Sequence, residues 1–394
     1  KDQTGEWSVV LGSGPMDYAG DSFPSTGYLF AIDLRDGTLQ AQKEVGSDIY
    51  MGDLQAVDVD QDYDSEVIYG GTVQGKNREY GGSMLRILTP GAEQTGSAHD
   101  DSNNWDITTL KSADASVTAP PEIATDKAGN LWCYWGTGKF FGISDQTNEA
   151  QQHLYGVKDT QWQPNQKEFT EDPGEVTSIF DASDVVVNAT AASYICKCEG
   201  GRTGTCSASD PSNCNEACPD ATEFIVDKLN NVQVVSGASS IDNLSLPADW
   251  ETAKKNIVND SNGWKLDLDV SSPSERCISA PAVIAGKAVF NTFEPVNDIC
   301  KTGGQSYVHS LNYKSGLPTK ELVIQSEGAY DEDTDEVTGK SHIGAGIPAP
   351  GSSIVTKQVG ETTKAYIQLS TGEVEELDLE TGAIPYRSLF WIEK

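Results

Sequence analysis

The segment Leu131-Trp-Cys-Tyr-Trp135 is a β-strand pattern that follows the pair Ala119-Pro120 after a first strand and a turn. The same order of Ala-Pro, strand, turn and strand returns at Ala280-Pro281 leading to residues 288–293, and at Ala349-Pro350 leading to residues 365–369. Each unit spans roughly 40 to 50 residues and holds about four short strands, which is the size of one blade of a β-propeller. An isolated blade cannot bury both of its faces, so we expect successive blades to stack around an axis.

Tight turns repeat in a similar way. The sequence Asp33-Leu-Arg-Asp-Gly37 contains an Asp-Gly pair, which favours a hairpin turn, and related patterns that end in glycine occur at residues 311–316 and 377–382. We therefore predict an all-β fold, a modified β-propeller of about seven blades, some of them degenerate, with loop insertions. This propeller would form a single domain over residues 1–394. A pair of β-sandwiches is the alternative, but it does not explain the repeated Ala-Pro start and glycine end of each unit.

Two insertions interrupt the predicted blades. The first is cysteine-rich and extends over about residues 190–222, where the polar stretch 210–220 predicts a surface loop. The second, at about residues 247–259, has apolar residues at helical spacing and predicts a short helix packed on a blade. The residues on one face of that helix are Trp250, Ala253 and Ile257.

The charge of the chain limits its partners. With 60 acidic and 27 basic residues, the net charge is −33, which repels nucleic acids and anionic lipid surfaces and favours cation binding. An acidic surface of a secreted or salt-tolerant protein is the simpler explanation of the same composition. The sequence has no apolar run long enough for a transmembrane helix, so we expect no membrane span.

Eight cysteines, five of them between Cys196 and Cys218, indicate disulfides and a location outside the cytoplasm. The start at Lys1 is interpreted as a processed or excised boundary. We predict one disulfide between Cys277 and Cys300, because these residues flank a predicted hairpin of about twenty residues whose ends should meet. Zinc binding through the thiolates of the cluster between Cys196 and Cys218 is an alternative to disulfides within that cluster. The pairing is left open for Cys133, Cys196, Cys198, Cys206, Cys214 and Cys218.

The nonapeptide Asp58-Val-Asp-Gln-Asp-Tyr-Asp-Ser-Glu66 has an acid at every second position and leads into a strand-like segment. Carboxylates this close repel one another unless a cation joins them, and calcium is held by such oxygen ligands. We predict one calcium ion bound by Asp58, Asp60, Asp62, Asp64 and Glu66, with Asp64 contributing its backbone carbonyl. The loop is not an EF-hand, because Tyr63 occupies the position of the usual glycine and no helical pattern follows. A solvated acidic turn is the alternative.

No arrangement of residues predicts catalysis. The four histidines, His99, His153, His309 and His342, lie in unlike contexts, and no Gly-x-Ser-x-Gly nucleophile motif accompanies them. The sequence Gly136-Thr-Gly-Lys139 lacks the remainder of a phosphate-binding loop and is better explained as the end of a strand.

We also expect the propeller to close by pairing residues 7–11 with residues 388–393 or 366–369, because open sheet edges invite aggregation.

Three groups of residues follow one another along most of the chain. They are residues 58–66 followed by Val-Ile-Tyr-Gly-Gly; Trp135-Gly-Thr-Gly-Lys-Phe-Phe141 with Asp145, Gln151 and residues 154–156 behind it; and residues 263–268 leading through Arg276 and residues 282–293 to Cys300, Gly303-Gly304 and Leu311. Their succession resembles the C-terminal propeller domain of the PilY family, the tip-associated proteins of bacterial type IV pili. Tyr63 in place of glycine and the insertion between Cys196 and Cys218 depart from the family pattern.

The resemblance implies a calcium-dependent, non-enzymatic protein that supports pilus assembly, control of extension and retraction, and surface adhesion. The implied location is extracellular, at the pilus tip, after export through the periplasm. Implied partners are minor pilins or a tip complex and a receptor on a host or abiotic surface. The alternative is an extracellular calcium-containing propeller enzyme of the quinoprotein dehydrogenase type, although the chain has no adjacent pair of cysteines of the kind that such a site would use.

Overall fold

The computed structural model describes most of the chain. The residues outside it are 1–6, 60–62, 64, 77–78, 90–104, 171–173, 199–202, 208–209, 215–220, 237–245, 247, 285, 297–302, 319–329, 332–335, 349–353, 360–361, 373 and 380–394. Among the strands, only the backbone is described for residues 76, 79–80, 190–198, 203–207, 210–214, 221–236, 330–331, 354–359, 362–365 and 375–379.

The first two sheets are antiparallel meanders. The first sheet contains β1 (Ser8–Gly12), β2 (Gly27–Asp33) and β3 (Leu39–Gly46), and the second contains β4 (Ile49–Val57), β5 (Val67–Lys76), β6 (Glu79–Gly81), β7 (Ser83–Leu88) and β8 (Asp106–Ser112). The Asp33–Gly37 turn joins β2 to β3 as expected. Gly37 has a φ of 76° there, and its N–H donates to the Asp33 carbonyl over 3.0 Å. Glycine suits this turn because a side chain is disfavoured at positive φ.

Three further sheets follow the same plan. The third contains β9 (Glu122–Thr125), β10 (Leu131–Gly136), β11 (His153–Lys158) and β20 (Gly263–Asp267), with β14 (Phe180–Asp181) parallel to β20, and a small hairpin of β12 (Trp162–Gln163) and β13 (Glu168–Phe169) lies between. The fourth contains β21 (Ala282–Ile284), β22 (Lys287–Pro295), β23 (Gly304–Asn312) and β26 (Lys340–Ala345). The fifth contains β27 (Ile354–Val359), β28 (Thr362–Gln368) and β29 (Val374–Leu379).

A larger sheet is formed mainly by strands inserted between β14 and β20, with two short strands added from between β23 and β26. Its centre is the long pair β15 (Val186–Cys198) and β18 (Ala221–Ser236), extended by β16 (Thr203–Ser207), β17 (Asp210–Cys214), β19 (Ala248–Asp249), β24 (Tyr330–Asp331) and β25 (Glu336–Val337). The cysteine-rich insertion is thus built mainly of strands, and the loop predicted at 210–220 is wrong over β17. Pairing along the hairpin supplies backbone hydrogen bonds that the polar composition alone does not reveal.

The predicted helix is present as α1 (Trp250–Asp260). Asp249 caps its N-terminus by accepting a hydrogen bond from the Thr252 N–H, which satisfies one of the free N–H groups of the first turn. The predicted face of Trp250, Ala253 and Ile257 is buried. The helix therefore packs its apolar stripe against the core, as its residue spacing predicts.

The third sheet lies between two hydrophobic clusters, and the alternation of β10 explains this. Leu131, Cys133 and Trp135 belong to a cluster shared with β5 and β7 of the second sheet. Trp132 and Tyr134 belong to the other cluster, which is shared with α1 and the fourth sheet. Successive side chains of a strand point to opposite faces, so one strand serves both clusters, and all six residues of β10 are buried.

Backbone hydrogen bonds connect neighbouring sheets at their starts. The Asp53 N–H in β4 donates to the Thr118 carbonyl over 3.0 Å, the Gly138 N–H donates to the Ser116 carbonyl over 2.7 Å, and the Cys277 N–H donates to the Thr137 carbonyl over 2.9 Å. These bonds link the second, third and fourth sheets through the segments that precede β9 and β21. They are the segments that carry the first two Ala-Pro pairs.

This arrangement confirms an all-β, propeller-like fold. First strands of successive sheets contact one another, β4 with β9 and β9 with β21. The strands predicted after the three Ala-Pro pairs are β10, β22 and β28, the second strand of the third, fourth and fifth sheets. Within the described residues, the five meanders account for five of the about seven blades that the sequence predicts.

One of the two proposed ways of closing the propeller is wrong. Residues 366–369 overlap β28, which already pairs with β27 on one side and β29 on the other, so it has no free edge for β1. In the described part of the chain, β1 pairs with β2. The other proposed partner, residues 388–393, lies outside the described residues.

Candidate metal centre

The acidic loop, residues 58–66, joins β4 to β5 in the second sheet, as the sequence predicts. Val57 and Val67 are paired in register, so the two ends of the loop start from adjacent positions. Thr89, which directly follows β7, holds the second half of the loop. Its N–H donates to the Glu66 carbonyl over 3.1 Å, and its hydroxyl donates to the Ser65 carbonyl.

Two backbone hydrogen bonds within the loop fix its first and last carboxylates. The Tyr63 N–H donates to Asp58 Oδ2 over 2.9 Å, and the Val59 N–H donates to Glu66 Oε2 over 2.7 Å. Each bond crosses the loop from one side to the other. Asp58 and Glu66 are therefore both oriented by the loop's own backbone.

Tyr63 has a φ of 78°, in the left-handed region where glycine is the usual residue. Calcium loops of the EF-hand type place an invariant glycine at this sixth position because the chain turns sharply there. Tyr63 thus has the backbone conformation that glycine usually supplies at this position. The departure noted in the sequence therefore changes the side chain at this position and not the sign of its φ.

The donor set of this loop fits a hard divalent cation. Asp58 and Glu66 are two of the five predicted ligands, while Asp60, Asp62 and Asp64 lie outside the described residues. Across the residues that the structure does describe, no group of three or more His, Cys, Asp or Glu side chains could hold a metal ion. Calcium binding at this loop stays a prediction that rests on oxygen donors and on the turn at Tyr63.

Lys139, in the Gly-Thr-Gly-Lys segment, is the centre of a buried ionic cluster. Its ammonium lies 2.9 Å from Asp145 Oδ1, 2.9 Å from Asp21 Oδ1 and 2.8 Å from the Ala19 carbonyl. Asp145 in turn accepts hydrogen bonds from the N–H groups of Phe141 and Gly142. The lysine therefore joins the loop after β1 to the loop after β10, and a strand-end role for this segment is confirmed.

Arg276 holds the same loop from the other side. Its guanidinium donates to the carbonyls of Lys139, Asp145 and Asn148 over 3.1, 2.7 and 3.1 Å, and also to Ser274. Burial lowers the pKa of Arg276 to about 10, although nearby Asp145 opposes that change. Residues that carried the family resemblance, Lys139, Asp145 and Arg276, are thus brought together by the fold.

Sequence reasoning missed a second buried cluster, at Glu275. His309 Nε2 lies 2.8 Å from Glu275 Oε1, the Lys340 ammonium lies 2.7 Å from Glu275 Oε2, and the Thr292 hydroxyl donates to the same carboxylate. Burial alone would raise the pKa of Glu275, but His309 and Lys340 lower it to about 2. The four residues are far apart in the sequence, so only the pairing of β22, β23 and β26 brings them together.

The other described histidines also have polar partners. His153 Nδ1 lies 2.7 Å from Asp267 Oδ1, and His342 Nε2 contacts Gln305 Oε1. His99 lies outside the described residues.

The predicted disulfide between Cys277 and Cys300 is not confirmed: Cys277 is a buried thiol without a disulfide partner among the described residues, and Cys300 lies outside them, so the disulfide stays a prediction. Its side chain packs against the third sheet, so closely that a Cβ added to Gly136 would come within 2.3 Å of the Cys277 Cβ. Arg276 pairs with Phe293, so the hairpin closes seven residues before Cys300. Cys300 itself lies in a segment outside the described residues. Burial raises the pKa of the Cys277 thiol to about 12.

Together these features define an all-β protein of several meander sheets in a propeller-like arrangement, with an acidic loop between two strands of the second sheet. A search among the described residues for a helix long and apolar enough to cross a membrane finds none.

One solved structure of this class is the crystal structure of the Pseudomonas aeruginosa PilY1 C-terminal domain. The two structures align with a TM-score of 0.56 and 17% sequence identity, over 95% of this chain and 69% of that one. No protein-family model and no curated protein matches the sequence. The resemblance expected from the sequence is therefore confirmed at the level of the fold.

Proposed function

We propose that this chain is a calcium-binding, non-enzymatic protein associated with the type IV pilus. Its role would be to support pilus assembly, control of extension and retraction, and adhesion to surfaces. The observation that carries the proposal is the shared fold with the PilY1 C-terminal domain over 95% of the chain. The order of the motifs at residues 58–66, 135–141 and 263–293 supports it independently, since that order is a property of the sequence alone.

Calcium would bind in the acidic loop, with Asp58, Asp60, Asp62, Asp64 and Glu66 as ligands. The orientation of Asp58 and Glu66 by the Tyr63 and Val59 N–H groups supports this assignment, because it fixes two of the proposed ligands on the loop's own backbone. A bound calcium ion would neutralise the repulsion among the acids. Because Thr89 anchors the end of the loop to the neighbouring strand, ordering the loop would stabilise the second sheet.

The proposed location is the outside of the cell, at the pilus tip. The proposed partners are minor pilins or a tip complex and a receptor on a host or abiotic surface. The net charge of −33 favours partners with basic surfaces and disfavours nucleic acid.

Immunogold labelling of sheared pili tests the pilus assignment. We expect label at filament ends in cells that express the protein, and none in a strain from which its gene is deleted. Absence of the protein from the sheared pilus fraction would refute the assignment. Calcium titration of the purified protein tests the metal assignment separately, so one can fail without the other.

A further inference from the structure

Two loops carry the most exposed large apolar side chains of the described residues. Tyr18 and Met16 lie in the loop between β1 and β2 and are 102% and 70% exposed, and Ile143 lies in the loop between β10 and β11 and is 83% exposed. Phe141 of the second loop is 50% exposed. Single exposed apolar side chains are ordinary, but a contiguous group of them marks an interaction site.

The two loops are in direct contact at residues 19–20 of one and 141–142 of the other, which places Tyr18 and Ile143 beside the contact. A Cβ added to Gly20 would come within 2.7 Å of the Phe141 ring, and one added to Gly142 would come within 2.8 Å of the Ala19 Cβ. We call this surface, formed by Met16, Tyr18, Phe141 and Ile143, the apolar loop pair.

The apolar loop pair is held rigidly from beneath. The Lys139 ammonium bridges Asp21 of one loop and Asp145 of the other, and the Ser144 hydroxyl donates to Asp21 Oδ2 over 2.9 Å. The Tyr50 hydroxyl adds a hydrogen bond to the Gly20 carbonyl over 3.2 Å. A preorganised surface loses little conformational freedom on binding, which favours affinity.

The charge on this surface is negative. Lys139 is the sole basic residue in the two loops, 13–26 and 137–152, and its ammonium is buried between two carboxylates. Asp17, beside Tyr18, is exposed, and hydrogen bonds from Ser22 and from the Asp21 N–H lower its pKa. The carboxylate therefore stays ionised next to the apolar side chains at neutral pH.

We propose that the apolar loop pair binds a protein segment in which aliphatic or aromatic side chains are flanked by lysine or arginine. The apolar side chains would be covered by those of the partner, and Asp17 would pair with its basic residues. An anionic membrane is disfavoured, because the chain carries a net charge of −33. This inference goes beyond the proposed pilus function and does not depend on calcium, since the acidic loop lies on another connection.

The test uses two synthetic peptides of equal length, one of leucine and lysine and one of leucine and glutamate, with calorimetric titration into the full chain. We expect the lysine peptide to bind, with or without a calcium chelator, and the glutamate peptide not to bind. The double variant Tyr18→Ser, Ile143→Ser should weaken binding of the lysine peptide about tenfold or more, as truncation of central interface residues does. The matched control Leu34→Ser, Val270→Ser removes two other side chains that are 63% and 61% exposed, and should bind as the native chain does.

Equal binding by both double variants would show attraction to the acidic surface as a whole and would overturn the proposal. Failure of the native chain to bind the lysine peptide would overturn it as well. Vesicles of phosphatidylcholine and phosphatidylglycerol provide the remaining comparison. If the native chain binds these vesicles and the Tyr18→Ser, Ile143→Ser variant does not, the apolar loop pair binds a membrane, and the proposal of a protein partner is overturned.

Discussion

Arg86 and Asp159 form a fully buried, bidentate ion pair that connects the second and third sheets. Arg86 Nε lies 2.6 Å from Asp159 Oδ2, Nη2 lies 2.6 Å from Oδ1, and neither side chain is exposed. The Tyr69 hydroxyl donates to the same carboxylate over 2.7 Å, and burial together with Asp159 raises the pKa of Tyr69 well above its usual range. The two sheets are thus joined by a buried ionic contact beside the apolar side chains that they share.

Replacing Arg86 with methionine should destabilise the protein by about 3 to 5 kcal/mol, because Asp159 would remain as a buried charge without its partner. The double variant Arg86→Met, Asp159→Leu should recover most of that loss, since neither charge is then buried. Arg35→Met removes an exposed arginine 3.7 Å from Asp33 and should change little. Urea unfolding of the four proteins provides the measurement, and an equal loss in the single and double variants would contradict this account.

Glu275 should contribute stability that depends on acid pH. Its pKa in the folded protein is about 2, against an ordinary value of 4.5, so the contribution is complete above pH 4.5 and is lost as the pH falls towards 2. A difference of that size corresponds to on the order of 3 kcal/mol. The variant Glu275→Gln should therefore be less stable than the native chain at pH 7, with the gap narrowing by pH 3. Urea midpoints at both pH values measure this, and a gap that does not narrow with pH would rule it out.

The calcium assignment is tested by Asp60→Ala, which removes one predicted ligand. Calcium at about 100 times its dissociation constant should add roughly 2.7 kcal/mol to the stability of the native chain and little to that of the variant. Both proteins should fold without calcium, because the loop lies at the end of a strand pair. Thermal melts with calcium and with a chelator measure the difference. Equal shifts in melting temperature in both proteins, or no shift in the native chain, would show that calcium does not bind at this loop.

Tyr63 should be replaceable by glycine but not by valine. Its φ of 78° costs a residue with a side chain roughly 1 kcal/mol or more, and β-branched residues tolerate that region worst. We expect Tyr63→Gly to bind calcium at least as tightly as the native chain, and Tyr63→Val to bind it more weakly. Calorimetric titration compares the three proteins. Native-like binding by Tyr63→Val would show that the left-handed turn is not required.

Cys277 should be a protected thiol in the native protein. It is buried, and its pKa of about 12 leaves very little thiolate at neutral pH. A maleimide reagent should label Cys277 only after unfolding in denaturant without reductant. Peptide mass mapping identifies the labelled residue, with buried Cys133 as an internal comparison. A disulfide-linked peptide containing Cys277 and Cys300 in a non-reduced digest would show that the predicted disulfide forms and that Cys277 is not a free thiol.

The parts of the fold that depend on neighbours in the sequence were predictable. The Ala-Pro units, the Asp33–Gly37 turn, the helix at Trp250 and the placement of the acidic loop between two strands all follow from local patterns. The predicted disulfide is not confirmed: the hairpin closes at Arg276 and Phe293, Cys277 packs against Gly136 of the third sheet, and Cys300 lies outside the described residues.

The buried ionic clusters could not be predicted, because they form between distant segments. Arg86 and Asp159 are 73 residues apart in the sequence, and Glu275 and Lys340 are 65 apart. In a chain with 60 acidic residues, nothing local distinguishes the few that the fold buries. Lys139 was visible as part of a motif, but its ionic partner Asp21 comes from the first loop of the chain.

The backbone bonds that connect successive sheets also determine how the protein would respond to tension. The bonds from Asp53 to Thr118, from Gly138 to Ser116 and from Cys277 to Thr137 follow one another from sheet to sheet. A pull that separates the sheets would load these bonds together with the buried ion pair of Arg86 and Asp159, instead of loading apolar contacts alone. Apolar contacts have no preferred direction, whereas hydrogen bonds weaken steeply when they are bent or stretched. Rupture between two sheets should therefore be abrupt, and the sheets themselves should remain intact at forces that leave these links unbroken.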